Sequence, residues 1–194
     1  MIIGITGYMG VGKTTAAKIF VEQGYKLVDA DALGHELLKD NEVKQRLIAE
    51  FGQDILKRDL EINREKLGKL AFSKTELLQK LNKIMHKKLK DNLQKIILKN
   101  KEEKISTIVD VALLVEFNLE QDCDKIILIK ADIQNVYERS TKGYEKKQIL
   151  VIMNNQKLPQ NPDFVVNNNQ LIQEFKNQIM LIWNKIKKIK KQNK

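Results

Sequence analysis

Short apolar runs alternate with amphipathic stretches along most of the chain. The apolar runs are rich in isoleucine and valine, which is typical of strands buried in a sheet. Between them, apolar residues recur every three or four positions, as they do in helices that pack on a sheet. The predicted strands are residues 2–6, 25–28, 105–111, 125–129 and 163–166, and the predicted helices include 14–23, 132–153 and 172–189.

Strands and helices that alternate in this way predict parallel βαβ units, whose ligands bind at the carboxyl ends of the strands. One helical pattern is much longer than the others and runs from about residue 33 to residue 100, between the second and third predicted strands. We interpret this region as a helical insert that could close over a substrate.

A glycine-rich segment joins the first predicted strand to the first helix. It fits the pattern G-x-x-x-x-G-K-[ST] at every fixed position, in the strand-to-helix context that the pattern requires. Its glycines allow consecutive backbone N–H groups to turn toward phosphate oxygens, and the helix N-terminus favours an anion. Lys13 supplies charge for the β- and γ-phosphates, and the Thr14 hydroxyl can bind Mg²⁺. The predicted nucleotide-binding residues are Gly7, Tyr8, Met9, Gly10, Val11, Gly12, Lys13, Thr14 and Thr15.

Two aspartates, Asp29 and Asp31, follow the second predicted strand. In a parallel sheet, that strand end lies beside the phosphate loop. One carboxylate there could accept the proton of an attacking hydroxyl, and the other could hold Mg²⁺ through water. Alternatively, one of them caps the helix that begins near Ala32.

The net charge of the 194-residue chain is +10, from 35 basic and 25 acidic residues. Six lysines lie in the last ten residues, and without them the balance falls to +4. Reading of DNA bases relies on arginine, and single strands stack on aromatic side chains. Only four arginines and 6% aromatic residues are present, so the charge does not favour a nucleic-acid partner.

The expected setting is the cytoplasm. No apolar run approaches the roughly 18 residues of a membrane span, and the apolar start of the chain is too short for a signal peptide. Cys123 is the only cysteine and cannot form an internal disulfide, which suits a reducing compartment. We expect no membrane partner, and a monomer or a weak homo-oligomer.

The chain resembles the bacterial dephospho-coenzyme A kinase family. The family's G-(I/L)-T-G-x-x-G-x-G-K-(S/T)-T is similar to residues 4–15, and its V-(I/V)-D-A-D is similar to residues 27–31. Its F-G-x-x-I-L resembles residues 51–56, its L-x-R-x-x-L residues 62–67, its D-x-P-L-L-x-E residues 110–116, and the first six positions of its A-D-x-V-I-x-N residues 162–167. The resemblance spans about residues 2–167, and the phosphate loop, D-A-D and L-L-x-E in this order are its most specific part.

The resemblance implies a three-layer α/β P-loop kinase fold with a parallel five-stranded sheet, a helical substrate-binding insert and a short lid. The implied domains are a nucleotide-binding core, 1–34 and 101–194, with the lid at about 138–160, and a coenzyme A-binding insert at 35–100. The family has His-Pro where this chain has His86-Lys87, and its lid carries several arginines where this chain has only Arg139.

The implied reaction is ATP-dependent, Mg²⁺-assisted phosphorylation of the ribose 3′-hydroxyl of dephospho-coenzyme A. The implied catalytic residues are Lys13, Asp31 as general base and Arg139 as a stabiliser of transition-state charge. The implied metal-site residues are Thr14 and Asp29, and the implied substrate-binding residues are Asp29, Asp31, Phe51, Arg64, His86 and Glu116. Alternatives are another P-loop small-molecule or nucleoside kinase, and a nucleotide-binding protein whose basic tail associates with nucleic acid.

Overall fold

The computed structural model of the chain describes residues 1–139 and 146–192. Its centre is one five-stranded sheet in which every described strand pair is parallel, with the order β2-β3-β1-β4-β5. The strands are β1 (Ile2–Thr6), β2 (Lys26–Asp29), β3 (Thr107–Asp110), β4 (Lys125–Lys130) and β5 (Phe164–Asn167). The predicted α/β fold with a parallel five-stranded sheet is therefore confirmed.

Helices lie between consecutive strands except between β3 and β4, which a loop with a short 3₁₀ turn connects. The helices are α1 (Lys13–Glu22), α2 (Ala30–Leu37), α3 (Asn41–Phe51), α4 (Arg64–Ala71), α5 (Thr75–Glu102), α6 (Ile133–Arg139), α7 (Lys146–Asn154) and α8 (Ile172–Gln192). Short 3₁₀ turns follow α3 and precede β4. Part of the predicted lid, residues 140–145, and the last two residues of the lysine-rich tail lie outside the described residues.

The apolar core lies on both sides of β1, the central strand, whose five residues are all buried. Side chains from β1 and β4 meet Ala16, Ala17 and Phe20 of α1 and the apolar stripe of α8 in one cluster. Burial of each large aliphatic side chain contributes about 1.5–3 kcal/mol. The prediction that the stripe of the C-terminal helix covers the sheet is confirmed, with Phe175, Ile179, Ile182 and Ile186 buried.

The chain forms two compact units. One consists of Met1–Asp29 with Ile96–Lys194 and contains the sheet, and the other is Ala30–Lys95 and is helical. The predicted insert was 35–100, so the helical unit begins and ends earlier along the chain. Its core is a separate apolar cluster that includes Val43, Leu47 and Phe51.

The long helical pattern between β2 and β3 is divided into four helices. Gly52, at φ 81°, follows α3, and Leu60, at φ 64°, turns the chain between two residues that form an isolated antiparallel bridge, Leu56 and Ile62. Asp40 and Asn63 then cap α3 and α4 with their side chains. The region is therefore helical, as the pattern predicts, but residues with positive φ and N-cap side chains divide it into separate helices even where the apolar spacing continues.

No helix within the described ranges is both long and apolar enough to cross a membrane.

Candidate phosphoryl-transfer site

The glycine-rich segment forms a tight loop between β1 and α1. Gly7, Gly10 and Gly12 all have positive φ angles, at 144°, 75° and 102°. A Cβ at Gly7 would overlap the carbonyl oxygen of Ile129, and a Cβ at Gly12 would lie 2.6 Å from the side-chain nitrogen of Asn168. The loop therefore requires glycine at both positions, because of its backbone angles and because other segments of the same chain pack closely against it.

Lys13 is the first residue of α1, and its side chain crosses back over the loop. Its ammonium group donates a hydrogen bond to the carbonyl oxygen of Tyr8 at 2.9 Å. This contact fixes a positive charge beside the loop and the amino end of α1, where backbone N–H groups also favour an anion. Tyr8 and Met9 pack against the apolar core through their half-buried side chains.

Thr14 and Asp110 form the second polar contact of the site. The Thr14 hydroxyl donates to the Asp110 carboxylate at 2.9 Å, and Asp110 is only 6% exposed. Asp110 ends β3 and is in register with Ile5 of β1 and Asp29 of β2. The motif at residues 110–116 begins with Asp110, but the sequence predicts no role for this residue, although it is the penultimate residue of the predicted strand 105–111.

The two aspartates after β2 have different surroundings. Asp29 is the last residue of β2 and lies beside Asp110, because adjacent strands are about 4.8 Å apart. Asp31 is exposed in the first turn of α2, within the helical unit. A carboxylate in a first helical turn is stabilising by itself, so a structural role is sufficient to account for the position of Asp31.

Arg139, the last residue of α6, is half-buried. Its guanidinium donates to the backbone carbonyl of Asn168 at 2.6 Å, and the Asn168 side chain donates to the carbonyl of Val11 in the phosphate loop at 2.8 Å. The buried Asn168 thus links Arg139 to the phosphate loop through two hydrogen bonds. Asn168 is buried and stands at the seventh position of the A-D-x-V-I-x-N pattern, one residue beyond the stretch that resembles the family, and the sequence predicts no role for it.

Glu116 lies in the segment that follows β3. Its Oε1 accepts a hydrogen bond from the backbone N–H of Lys157, whereas its buried Oε2 has no partner among the described residues. The neighbouring side chain of Gln156 is 8% exposed and donates to the carbonyls of Gly7 and Ala112. Gln156 was also missed as a functional residue, because nothing in its local sequence shows which carbonyls it reaches.

The remaining predicted substrate residues belong to the helical unit and have three different environments. Phe51 is buried in that unit's core, so packing alone accounts for it. Arg64 is exposed, and its guanidinium donates to the Nε2 atom of His35. His86 is half-buried, and burial lowers the pKa of its imidazole below the ordinary 6.5.

The fold is that of P-loop kinases. A solved dephospho-CoA kinase from Campylobacter jejuni superposes with a TM-score of 0.69 at 20% identity, covering 100% of this chain and 98% of that one. A gluconokinase from Sinorhizobium meliloti superposes with a TM-score of 0.54 at 13% identity, covering 99% and 97%. At these identities the solved structures show the fold and leave the acceptor open.

Sequence comparison resolves the family. The dephospho-CoA kinase of Fusobacterium nucleatum is 33% identical over 181 residues, covering 90% of this chain and 93% of that protein. The family model described as dephospho-CoA kinase matches residues 1–174, which span the whole helical unit and the sheet-containing unit as far as residue 174. The chain belongs to the dephospho-CoA kinase family.

Proposed function

We propose that this protein transfers the γ-phosphoryl group of ATP to the ribose 3′-hydroxyl of dephospho-coenzyme A, giving coenzyme A and ADP. The observation that carries the proposal is a complete phosphate loop, with Lys13 held beside it and Thr14 bonded to Asp110, in a chain that the family model matches over residues 1–174. This reaction is the last step of coenzyme A synthesis.

The phosphate loop would bind the ATP phosphates through its backbone. Backbone N–H groups of residues 7–15 would surround the phosphate oxygens, and Lys13 would supply positive charge to the γ-phosphoryl group during its transfer. Because Lys13 is already hydrogen-bonded to the loop, little reorganisation is needed when ATP binds. Arg139, at the end of α6, would add a second positive charge, and its guanidinium is held by a hydrogen bond to the carbonyl of Asn168.

Thr14, Asp110 and Asp29 fit a Mg²⁺ site. Mg²⁺ prefers hard oxygen ligands and binds through one or two protein groups, keeping water and phosphate oxygens for the rest. The Thr14 hydroxyl and the Asp110 carboxylate are such groups and already contact each other, and Asp29 ends the neighbouring strand. A bound Mg²⁺ would neutralise charge on the phosphates.

Asp31 is our choice of general base for the ribose hydroxyl. A carboxylate that accepts this proton as the oxygen attacks typically contributes about 10²–10⁴-fold to the rate. The exposure of Asp31 leaves its carboxylate accessible to a hydroxyl from solvent or substrate. Asp29 remains the alternative base, because it ends the strand beside Asp110.

The helical unit would receive the coenzyme A moiety. The exposed guanidinium of Arg64 offers the planar donor pair that suits a phosphate, and His86 offers a polar contact. Glu116, which belongs to the sheet-containing unit, remains a proposed substrate-binding residue. Phe51 would contribute through the packing of the helical unit. We further propose that the protein works in the cytoplasm on a small-molecule substrate, as a monomer or a weak homo-oligomer.

ADP release from ATP tests the proposal, measured with dephospho-coenzyme A, with adenosine or gluconate in its place, and without an acceptor. We expect release that depends on dephospho-coenzyme A and saturates with it. Equal release with adenosine or gluconate would support a different small-molecule kinase. Release that is independent of every acceptor would contradict the kinase assignment.

A further inference from the structure

The phosphate loop needs hydrogen-bond donors on its outer side. If its N–H groups turn inward toward phosphate, its carbonyl groups turn outward into the protein. A buried carbonyl without a donor costs free energy comparable to a lost hydrogen bond. Gly7 and Val11, which are both buried, lie near opposite ends of the loop.

Gln156 supplies the donor at the first end. Its Nε2 atom donates to the Gly7 carbonyl at 3.1 Å and to the Ala112 carbonyl at 2.7 Å. The Ala112 carbonyl also accepts from the Thr6 hydroxyl at 3.1 Å. Gln156 therefore joins the start of the loop to the backbone two residues after Asp110.

Asn168 supplies the donor at the second end. Its side-chain nitrogen donates to the Val11 carbonyl at 2.8 Å, and its backbone N–H donates to the last residue of β4, Lys130, at 2.8 Å. The same side chain packs so closely on Gly12 that a Cβ there would approach it to 2.6 Å. Its backbone carbonyl accepts from Arg139. Asn168 is 6% exposed, so water does not replace these contacts easily.

We propose that Gln156 and Asn168 are positioning residues for the γ-phosphoryl donor, which hold the phosphate loop open to ATP by fixing the carbonyls of Gly7 and Val11. The role requires a side-chain amide, because a carboxylate of the same shape has no N–H to donate and would face a carbonyl oxygen. The inference rests on the proposed function only in that the loop binds ATP. It does not depend on the acceptor.

The chain offers matched controls for this idea. The test variants are Gln156→Glu and Asn168→Asp, which keep shape and remove the donor. Gln173→Glu and Asn167→Asp make the same chemical changes at exposed positions in the same compact unit. Gln156→Met and Asn168→Ala remove the donor without adding a buried charge, and they serve if the acidic variants do not fold.

The measurements are the dissociation constant of ATP by calorimetry without acceptor, the unfolding free energy without nucleotide, and the KM values of both substrates. We expect the ATP dissociation constant and the KM for ATP to rise about tenfold or more in the Gln156 and Asn168 variants. The KM for dephospho-coenzyme A should stay within about twofold, and the two controls should bind ATP like the wild type.

A purely structural role would lower the folded fraction, and with it kcat, while leaving the ATP dissociation constant of the folded protein unchanged. An unchanged ATP dissociation constant in the folded acidic variants (Gln156→Glu and Asn168→Asp), or in the neutral variants (Gln156→Met and Asn168→Ala), would overturn the proposal. The ATP measurement stays informative even if the release assay shows that dephospho-coenzyme A is not the acceptor, so the two failures can be distinguished.

Discussion

The phosphate loop and the helical unit present different kinds of groups to a ligand. The loop would bind through backbone groups, and buried hydrogen bonds from Gln156 and Asn168 fix its shape. The helical unit offers exposed side chains such as Arg64 on a separate apolar core. A phosphate site on the loop would be specified by backbone geometry, whereas an acceptor site on the helical unit would be specified by individual side chains. Changes in the two regions should therefore affect different kinetic constants.

The largest effect is expected from Lys13→Ala. Loss of the charge that accompanies the transferred group should lower kcat/KM about 10³-fold, with little change in the unfolding free energy. Lys18→Ala, an exposed change on the same helix, is the control and should behave like the wild type. Steady-state kinetics with a denaturation curve checks both. A kcat/KM within tenfold of the wild type would remove Lys13 from the mechanism.

Asp31→Asn should lower kcat by at least about 10²-fold and leave ATP affinity nearly unchanged, because a general base acts in the chemical step. Asp29→Asn is the informative comparison, since Asp29 is the alternative base. If Asp29→Asn lowers kcat and Asp31→Asn does not, the roles are reversed. Single-turnover rates with ATP-binding isotherms give the answer.

Gly7 and Gly24 both have a positive φ angle, but only at Gly7 would an added Cβ meet neighbouring atoms. Gly7→Ala should destabilise the protein by about 2 kcal/mol or more and weaken ATP binding, because its new Cβ meets the Ile129 carbonyl. Gly24→Ala, at φ 89° with nothing within 4 Å of the added Cβ, should cost about 1–2 kcal/mol and leave ATP binding intact. Equal effects in urea unfolding would show that backbone angle alone controls the loop.

In the helical unit, Arg64→Ala should raise the KM for dephospho-coenzyme A about tenfold, because a charge-assisted hydrogen bond is lost. The KM for ATP should not change. Arg58→Ala, another exposed arginine of that unit, is the control. An equal rise in both KM values would show that the two regions do not act on separate substrates.

The smallest effect concerns pH and His86. Burial lowers the pKa of this imidazole, so the folded protein binds its proton less readily than the unfolded chain does. The neutral imidazole's contribution to the unfolding free energy is fully present above pH 6.5, the ordinary pKa. It is lost as the pH falls through the lowered pKa of the folded protein. Between pH 7.5 and 5.5, the wild type should lose more unfolding free energy than His86→Gln. Equal losses in urea titrations would contradict this account.

The sequence predicted most of the fold and one half of the site. Strand and helix periodicity located the five strands, and the glycine-rich pattern located the loop with Lys13 and Thr14. These features are local, so a short window of sequence contains them. The contact of Thr14 with Asp110 joins residues 96 positions apart, and that of Asn168 with Val11 joins residues 157 apart. Only the folded sheet brings such pairs together.

The helical unit was harder to predict for the same reason. Its apolar spacing is continuous in sequence, but Asp40 and Asn63 start new helices and Gly52 ends one. Phe51 matched a family motif, yet its burial in that unit's core explains it without a ligand. The motif at the phosphate loop thus coincides with a tight loop in the structure, whereas packing alone accounts for the motif residue Phe51.

The most direct test of the central claim follows the phosphate itself. ATP labelled at its γ-phosphate is incubated with dephospho-coenzyme A and either wild-type protein or Lys13→Ala, and the products are separated and identified by mass. We predict that the wild type places the label on the ribose 3′-oxygen of coenzyme A, and that Lys13→Ala does so about 10³-fold more slowly. Label that stays in ATP, or appears only as inorganic phosphate, with the wild-type protein would contradict the account.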